Sequence, residues 1–476
     1  MSTDSGTART AHPTAPPLRR SRPEDEGVPP AVLSALLDRW ESVGVEAHGL
    51  MVLRHGRVVA QASWRPYRAD GIALVYSVSK TFTSCAVGFA EAEGLLRLDE
   101  RLVDLFPEAA DVAGPRAARL TLHDVLAMST GHREDTLDWR ESDPATFPRH
   151  FLAIEPEEEP GSWFVYHNGA TLMAALAVQR RSGQRLLDYL RPRLLDPLGI
   201  GDAAWSARGG LDIGYSGLHV DLEAVARLGE LLRLDGVWEG ERLLPEGWVS
   251  RATALQTDTS QHPETSDWHQ GYGYQLWRCR HDAFRADGAW GQFAVVVPGS
   301  DLVVAVTSCS TDTQALLDGI WEVLLPALAP EPLPHDDEAS TALLDRLGRA
   351  RLPAPASSAE PVGDGPWEFV HEPTQAHPAL VLVRVRRDPA GDWVLDVEDG
   401  GTVTVACGDG TWSEAGGTPW AASGGWTAPG VFEARVAAVE TPHVLGLRCA
   451  DGVVAASWNG EPLVWSALAT LHAPRT

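Results

Sequence analysis

The apolar positions of this chain follow different periods in different regions. Gly49–Trp64 (GLMVLRHGRVVAQASW) is two apolar runs around His55-Gly56. Gln292–Ser308 (QFAVVVPGSDLVVAVTS) repeats the arrangement around Pro298-Gly299-Ser300-Asp301, and both stretches predict β-hairpins. Between them, LTLHDVLAMS (120–129) and ATLMAALAVQRRSGQRLLDYL (170–190) carry apolar residues at helical spacing. Strands at both ends with helices between predict an α+β fold, an antiparallel sheet covered by helices with an inserted helical region. From about 329 to 366 the pattern dissolves into Pro and acidic residues around one short helical segment, TALLDRLGRA. Beyond it the period is two. ALVLVRVRR, DWVLDVED, TVTVACGD, VFEARVAAVE, VLGLRCA and VVAASWNG, separated by Gly-containing turns, predict a small all-β barrel or sandwich. The expected organisation is a disordered tail at 1–21, a first domain at 22–330, a linker at 331–362 and a β domain at 363–476.

Composition narrows the function classes. With 39 Lys+Arg against 65 Asp+Glu, the net charge is −26 and no basic cluster exists, which argues against a nucleic-acid partner. No apolar run approaches the roughly 18 residues of a membrane span. The first twenty residues lack the apolar core of a signal peptide. Five cysteines at scattered spacings suit a reducing cytoplasm and argue against a disulfide framework or a zinc site. The sixteen histidines show no ligand spacing and no nucleotide-binding G-x-G-x-x-G follows a strand, so neither metal nor cofactor is expected, and the lack of a G-x-S-x-G elbow argues against an α/β-hydrolase.

Of the 39 cations only one, Lys80, is lysine; asparagine occurs only at 168 and 459. Lys80 closes Tyr76-Ser77-Val78-Ser79-Lys80 at the head of a helical pattern. Residues three apart share a helix face, so the Ser77 hydroxyl would lie beside the Lys80 amine. A serine nucleophile needs a base, and lysine can serve once burial lowers its pKa, whereas arginine cannot. Tyr166-His167-Asn168-Gly169 supplies a phenol able to relay a proton and an amide able to donate and accept. His167 is a weaker candidate for substrate contact, and Cys85 reads as a core residue.

With these motifs in this order, together with LTLHDVLAMSTGH (120–132), EPGSWFVYHNGA (159–170) and DYLRPRLLDPLGI (188–200), the chain resembles the serine β-lactamase and penicillin-binding-protein superfamily. Within it the resemblance is to the class C β-lactamase-like branch, which includes esterases, D-aminopeptidases, transacylases and penicillin-binding-type thioesterases. The resemblance covers about 22–330 and implies a β-lactamase/transpeptidase-like α/β/α domain. It makes Ser77 the acylated nucleophile, Lys80 its base, Tyr166 the proton carrier to the leaving group, and Asn168 the group that orients Lys80 and substrate. The C-terminal region resembles the lipocalin-like tails of some relatives.

A Lys-Thr-Gly or His-x-Gly is expected on the strand before the 292–308 hairpin. This sequence reads Asp287-Gly288-Ala289-Trp290-Gly291-Gln292, with Ala289 at the expected position of the cation. The resemblance implies an oxyanion-hole N–H at Gln292. Arg285 and His281 are out of register as substitutes for the missing cation. A neutral ester, amide or thioester is therefore favoured over a β-lactam or D-Ala-D-Ala peptide, and Trp290, Trp163 and Trp277 are candidates for an apolar acyl pocket. The readings left open are a metal-free hydrolase of a small-molecule or short-peptide acyl substrate, a transacylase or peptide-cyclising thioesterase, and an inactive binding protein on the same fold. Nothing in the sequence sets the oligomeric state.

Overall fold

The computed structural model describes residues 16–138, 143–263, 266–413, 417–464 and 467–475. Residues 1–15, most of the expected tail, lie outside them. The rest of that stretch runs along the sheet, where Ser21 N donates to Val58 O at 3.1 Å.

The first domain is built on a six-stranded antiparallel sheet. Its order is Trp277–Arg278, Phe284–Gly288, Gln292–Val297, Leu302–Ser308, Ala47–Arg54, Arg57–Ser63, so both predicted hairpins are in it. The central strands read as unbroken apolar runs because both faces are covered. Met51, Leu53, Val303 and Ala305 face a core formed with helices Val78–Ala92, Asn168–Ser182 and Leu222–Arg233. Leu50, Val52, Val304 and Val306 face the other core, against Pro30–Ser42, Thr313–Gly319 and Asp337–Gly348. Helix Asp337–Gly348, the helical segment in the predicted linker, buries Leu343 and Leu347 there. The result is the β-lactamase-like α/β/α arrangement with its helical insertion.

The C-terminal region is a closed eight-stranded barrel from Trp367–Val370 to Val453–Trp458. Strand Thr402–Gly408 alternates outward and inward residues as its period of two requires. Val383, Val385, Leu395, Val397, Trp426, Phe432 and Leu445 fill the interior, so the barrel is a packed core. All five cysteines are unpaired and buried. Among the described residues, no helix is long and apolar enough to cross a membrane.

Candidate active site

Ser77 immediately precedes helix Val78–Ala92, whose residues 78–90 are all buried. Three hydrogen bonds set the turn before it. The Ser79 hydroxyl donates to the Tyr76 carbonyl and accepts from Leu218 N, while Val75 N donates to Leu218 O. Tyr76 takes a left-handed backbone, φ 47°. One helical turn on, Lys80 is 1% exposed.

Lys80 Nζ lies 2.9 Å from Ser77 Oγ, 2.7 Å from Asn168 Oδ1 and 2.8 Å from the Tyr215 carbonyl oxygen. The latter two atoms can only accept. A neutral amine therefore gives them its two N–H bonds and turns its lone pair to the Ser77 hydroxyl. Burial pulls the ammonium pKa down to about 7, against the opposing pull of Asp135 and Asp287. Tyr215 is held in place because Thr83, on the Lys80 helix, donates its hydroxyl to Gly214 O at 2.9 Å.

Asn168 opens helix Asn168–Ser182, and its neighbour His167 makes no side-chain cap. The cap comes from Asp135, a distant residue that motif reading passed over. Its carboxylate accepts from Asn168 N at 3.1 Å, Gly169 N at 3.0 Å and Asn168 Nδ2 at 2.8 Å. The last bond fixes the amide so that Oδ1 faces Lys80. Nothing in the run His132-Arg133-Glu134-Asp135 marks it, because the contact is made only in three dimensions.

His167 is fully buried. Its Nε2 accepts from Thr136 N at 3.0 Å, which leaves Nδ1–H to donate to Thr130 Oγ1 at 3.2 Å. Burial lowers its pKa to about 3. It holds the 130–136 loop that carries Asp135. The Tyr166 ring centroid is 4.8 Å from Lys80 Nζ. Burial, reinforced by Asp287, pushes its phenol above the ordinary range. Trp277 stacks on Tyr166 at 5.8 Å and 16°.

The structure thus brings Ser77, Lys80, Tyr166 and Asn168 together. The second group of sequence candidates, Ala289, Trp290, Gly291 and Gln292, lies on the adjoining hairpin. Ala289-Trp290-Gly291 is the turn itself, with Gly291 N donating to Gly288 O at 3.2 Å. Gln292 is ladder-paired with Gly288, and its buried side chain donates to Ala289 O at 3.0 Å and Ser308 O at 2.6 Å, locking the turn. Backbone proximity to the Ser77 turn belongs to Gly288, where an added Cβ would run into the Val75 carbonyl oxygen. Of the other candidate pocket residues, Trp163 lies under the Arg133 guanidinium at 4.9 Å, and Trp290 faces Gly460 of the barrel. Arg285 has no exposed surface; its Nε donates to Asp287 at 2.8 Å and its guanidinium lies over Trp268. His281 rests on Trp321 in the opposite core. Neither supplies the absent cation, and the charges beside Lys80 and Tyr166 include the Asp135 and Asp287 carboxylates. Among the described residues, no cluster of three His, Cys, Asp or Glu is placed to hold a metal ion.

Residues 35–327 match the family described as Beta-lactamase. The 6-aminohexanoate-dimer hydrolase of Paenarthrobacter ureafaciens is 26% identical over 308 residues, covering 59% of this chain and 76% of that protein. The lovastatin esterase of Penicillium rubens is 26% identical over 171 residues, covering 31% of this chain but only 43% of the esterase. Among solved structures, SurE with D-Leu superposes with a TM-score of 0.51 at 19% identity, over 89% of this chain and 98% of that one. Its coverage extends the shared fold into the barrel region.

Proposed function

Given that the chain belongs to the beta-lactamase family, we propose that it is a serine hydrolase that forms an acyl-enzyme at Ser77 and acts on a small uncharged ester or amide. The observation that carries this reading is the Lys80 amine. It is buried, its pKa lies at about 7, and two acceptor-only oxygens leave its lone pair for the Ser77 hydroxyl. Ser77 Oγ attacks the substrate carbonyl while its proton passes to Lys80 Nζ. The oxyanion forms in the gap between the Ser77 turn and the Gly288-Ala289 backbone, where peptide N–H groups can stabilise it. Collapse breaks the bond to the leaving alcohol or amine, which takes a proton through Tyr166. Water then attacks the acyl-serine, returns the proton through the same groups and releases the acid.

The Asp287 carboxylate beside the site, paired with the buried Arg285, supports an uncharged acyl group over a carboxylate-bearing one. The five buried, unpaired thiols support a reducing compartment, and the reading includes a cytoplasmic location. The matched hydrolase and esterase support the reaction class.

Intact-mass spectrometry after exposure to a fluorophosphonate tests it. Wild type is expected to gain one adduct that Ser77→Ala lacks; equal labelling of the two, or none, overturns the nucleophile. A panel of esters and amides run with and without an added amine then separates hydrolysis from acyl transfer by the product formed.

A further inference from the structure

We propose that the C-terminal barrel is a working part of the candidate active site, with His443 acting as a positioning residue that holds Tyr76 and so presents Ser77. This rests on the hydrolase reading above. Tyr76, adjacent to Ser77, sends its hydroxyl across the domain boundary to His443 Nε2, and both residues are buried. His443 Nδ1 lies 2.7 Å from the Gly460 carbonyl, which can only accept. Nδ1 therefore carries the ring proton, Nε2 is the acceptor, and the Tyr76 hydroxyl donates to it. Burial lowers the imidazole pKa to about 4, so this tautomer persists through neutral pH.

The bond matters because of where Tyr76 lies. Its φ of 47° is a conformation that non-glycine residues adopt only when their surroundings impose it. Ser79 and Leu218 hold its carbonyl side, whereas the side chain is anchored by the barrel. The barrel also reaches the second backbone element of the site. Gly460 lies so close to Trp290, in the turn after Gly288, that an added Cβ would stand 3.2 Å from the indole and 2.5 Å from Cys309 Sγ. Two barrel segments, the turn ending at His443 and the stretch after Trp458 that carries Gly460, thus brace both sides of the gap in which the oxyanion would form.

These segments are themselves fixed to the first domain. Asn459, the second of the two asparagines, donates to Glu46 Oε1 at 2.7 Å, and Arg435 pairs with Glu46 Oε2 at 2.8 Å. Burial would raise the Glu46 carboxyl, but His48, Arg435 and Asn459 outweigh it and hold its pKa at about 2. Asn459 Oδ1 accepts from Val444 N and Gly460 N at 2.8 and 2.9 Å, which sets the loop that presents His443.

Two substitutions divide the functions of the imidazole. His443→Gln keeps an acceptor near the Nε2 position; His443→Asn keeps a donor near Nδ1 and the bond to Gly460 but loses the bond to Tyr76. The rate of Ser77 phosphonylation and kcat are expected to fall about tenfold in His443→Asn and in Tyr76→Phe, with KM within about twofold, and to recover in His443→Gln. The double variant His443→Asn/Tyr76→Phe should be no slower than either single, because both remove one bond. Hydrogen exchange in the peptide spanning 73–80 should quicken in His443→Asn and not in His443→Gln. Rates and exchange that match wild type in His443→Asn, or that follow thermal stability equally in Asn and Gln, overturn the proposal. Exchange does not depend on turnover, so a wild type that is never phosphonylated rejects the hydrolase reading while exchange still decides the role of His443.

Discussion

At the scale of single residues, the proposed chemistry turns on one buried amine whose pKa burial brings down to about 7. With the Lys80 pKa at about 7 and the neutral amine as base in the proposed mechanism, kcat/KM should climb with pH through about 7 and level off above it. The same depression acts on stability. An unfolded lysine titrates near 10.4, so between about pH 7 and 10.4 the unfolded chain binds the extra proton and stability rises with pH. Below that window the penalty is present in full. Lys80→Met should therefore raise Tm at pH 6–7 and flatten this pH dependence while abolishing turnover, which thermal scans across pH would show. Lys80→Arg keeps the charge but cannot give up the proton, and should lower kcat by at least about a hundredfold. Asp135→Asn removes a charge that raises the Lys80 pKa, and it releases the Asn168 amide. It should lower kcat and move the acid limb of the pH–rate profile to lower pH, a shift that simple loss of packing does not produce.

At the scale of elements, the site exists because three of them meet closely: the head of the Lys80 helix, the head of the Asn168 helix and the end of strand Phe284–Gly288. The contact of strand with helix depends on Gly288 lacking a side chain. Gly288→Ala must push the strand away from Val75, widening the gap proposed to hold the oxyanion, and should lower kcat more than it raises KM. Gly299 in the next turn has open space around its missing Cβ, so Gly299→Ala is the matched control and should stay within about 0.5 kcal/mol of wild-type stability. Steady-state kinetics and denaturant unfolding of the pair separate the two outcomes.

At the scale of the whole molecule, the barrel is docked through buried polar contacts as well as apolar ones. Tyr67, Leu352, Ala437 and Val444 form a shared apolar patch, and Glu46 is the polar pin within the same boundary. Removing that carboxylate strands Arg435 and Asn459 partly out of water, the costly way to break a buried pair. Calorimetry should show one cooperative transition for wild type. For Glu46→Ala it should show a lower Tm, with the barrel melting apart from the first domain. A single unchanged transition would deny Glu46 this role. The net charge of −26 belongs to this scale as well: it disfavours polyanionic partners and says little about the small acyl group the site would take.

The fold was largely legible in the chain because the two periods of apolar residues are local properties. The hairpins at 49–64 and 292–308 and the barrel strands carry their pattern within a few residues, and Ser77 with Lys80 is a single helical turn. The sequence by itself therefore determined the two hairpins, the helical stretches between them, an all-β C-terminal domain and the pairing of one hydroxyl with one amine. Closure of that domain into an eight-stranded barrel was decided by how its strands pair. Contacts without local spacing stayed invisible. Asp135, 33 residues before Asn168, is brought to it only by the loop that His167 holds, and the Tyr215 carbonyl is offered by backbone rather than by a side chain that a motif could display. The Gly288 approach to Val75 and the reach of His443 to Tyr76 depend on how strands and domains stack. The tertiary structure alone decided the environment of Lys80: burial lowers its pKa, and acceptors drawn from remote parts of the chain point its lone pair at Ser77.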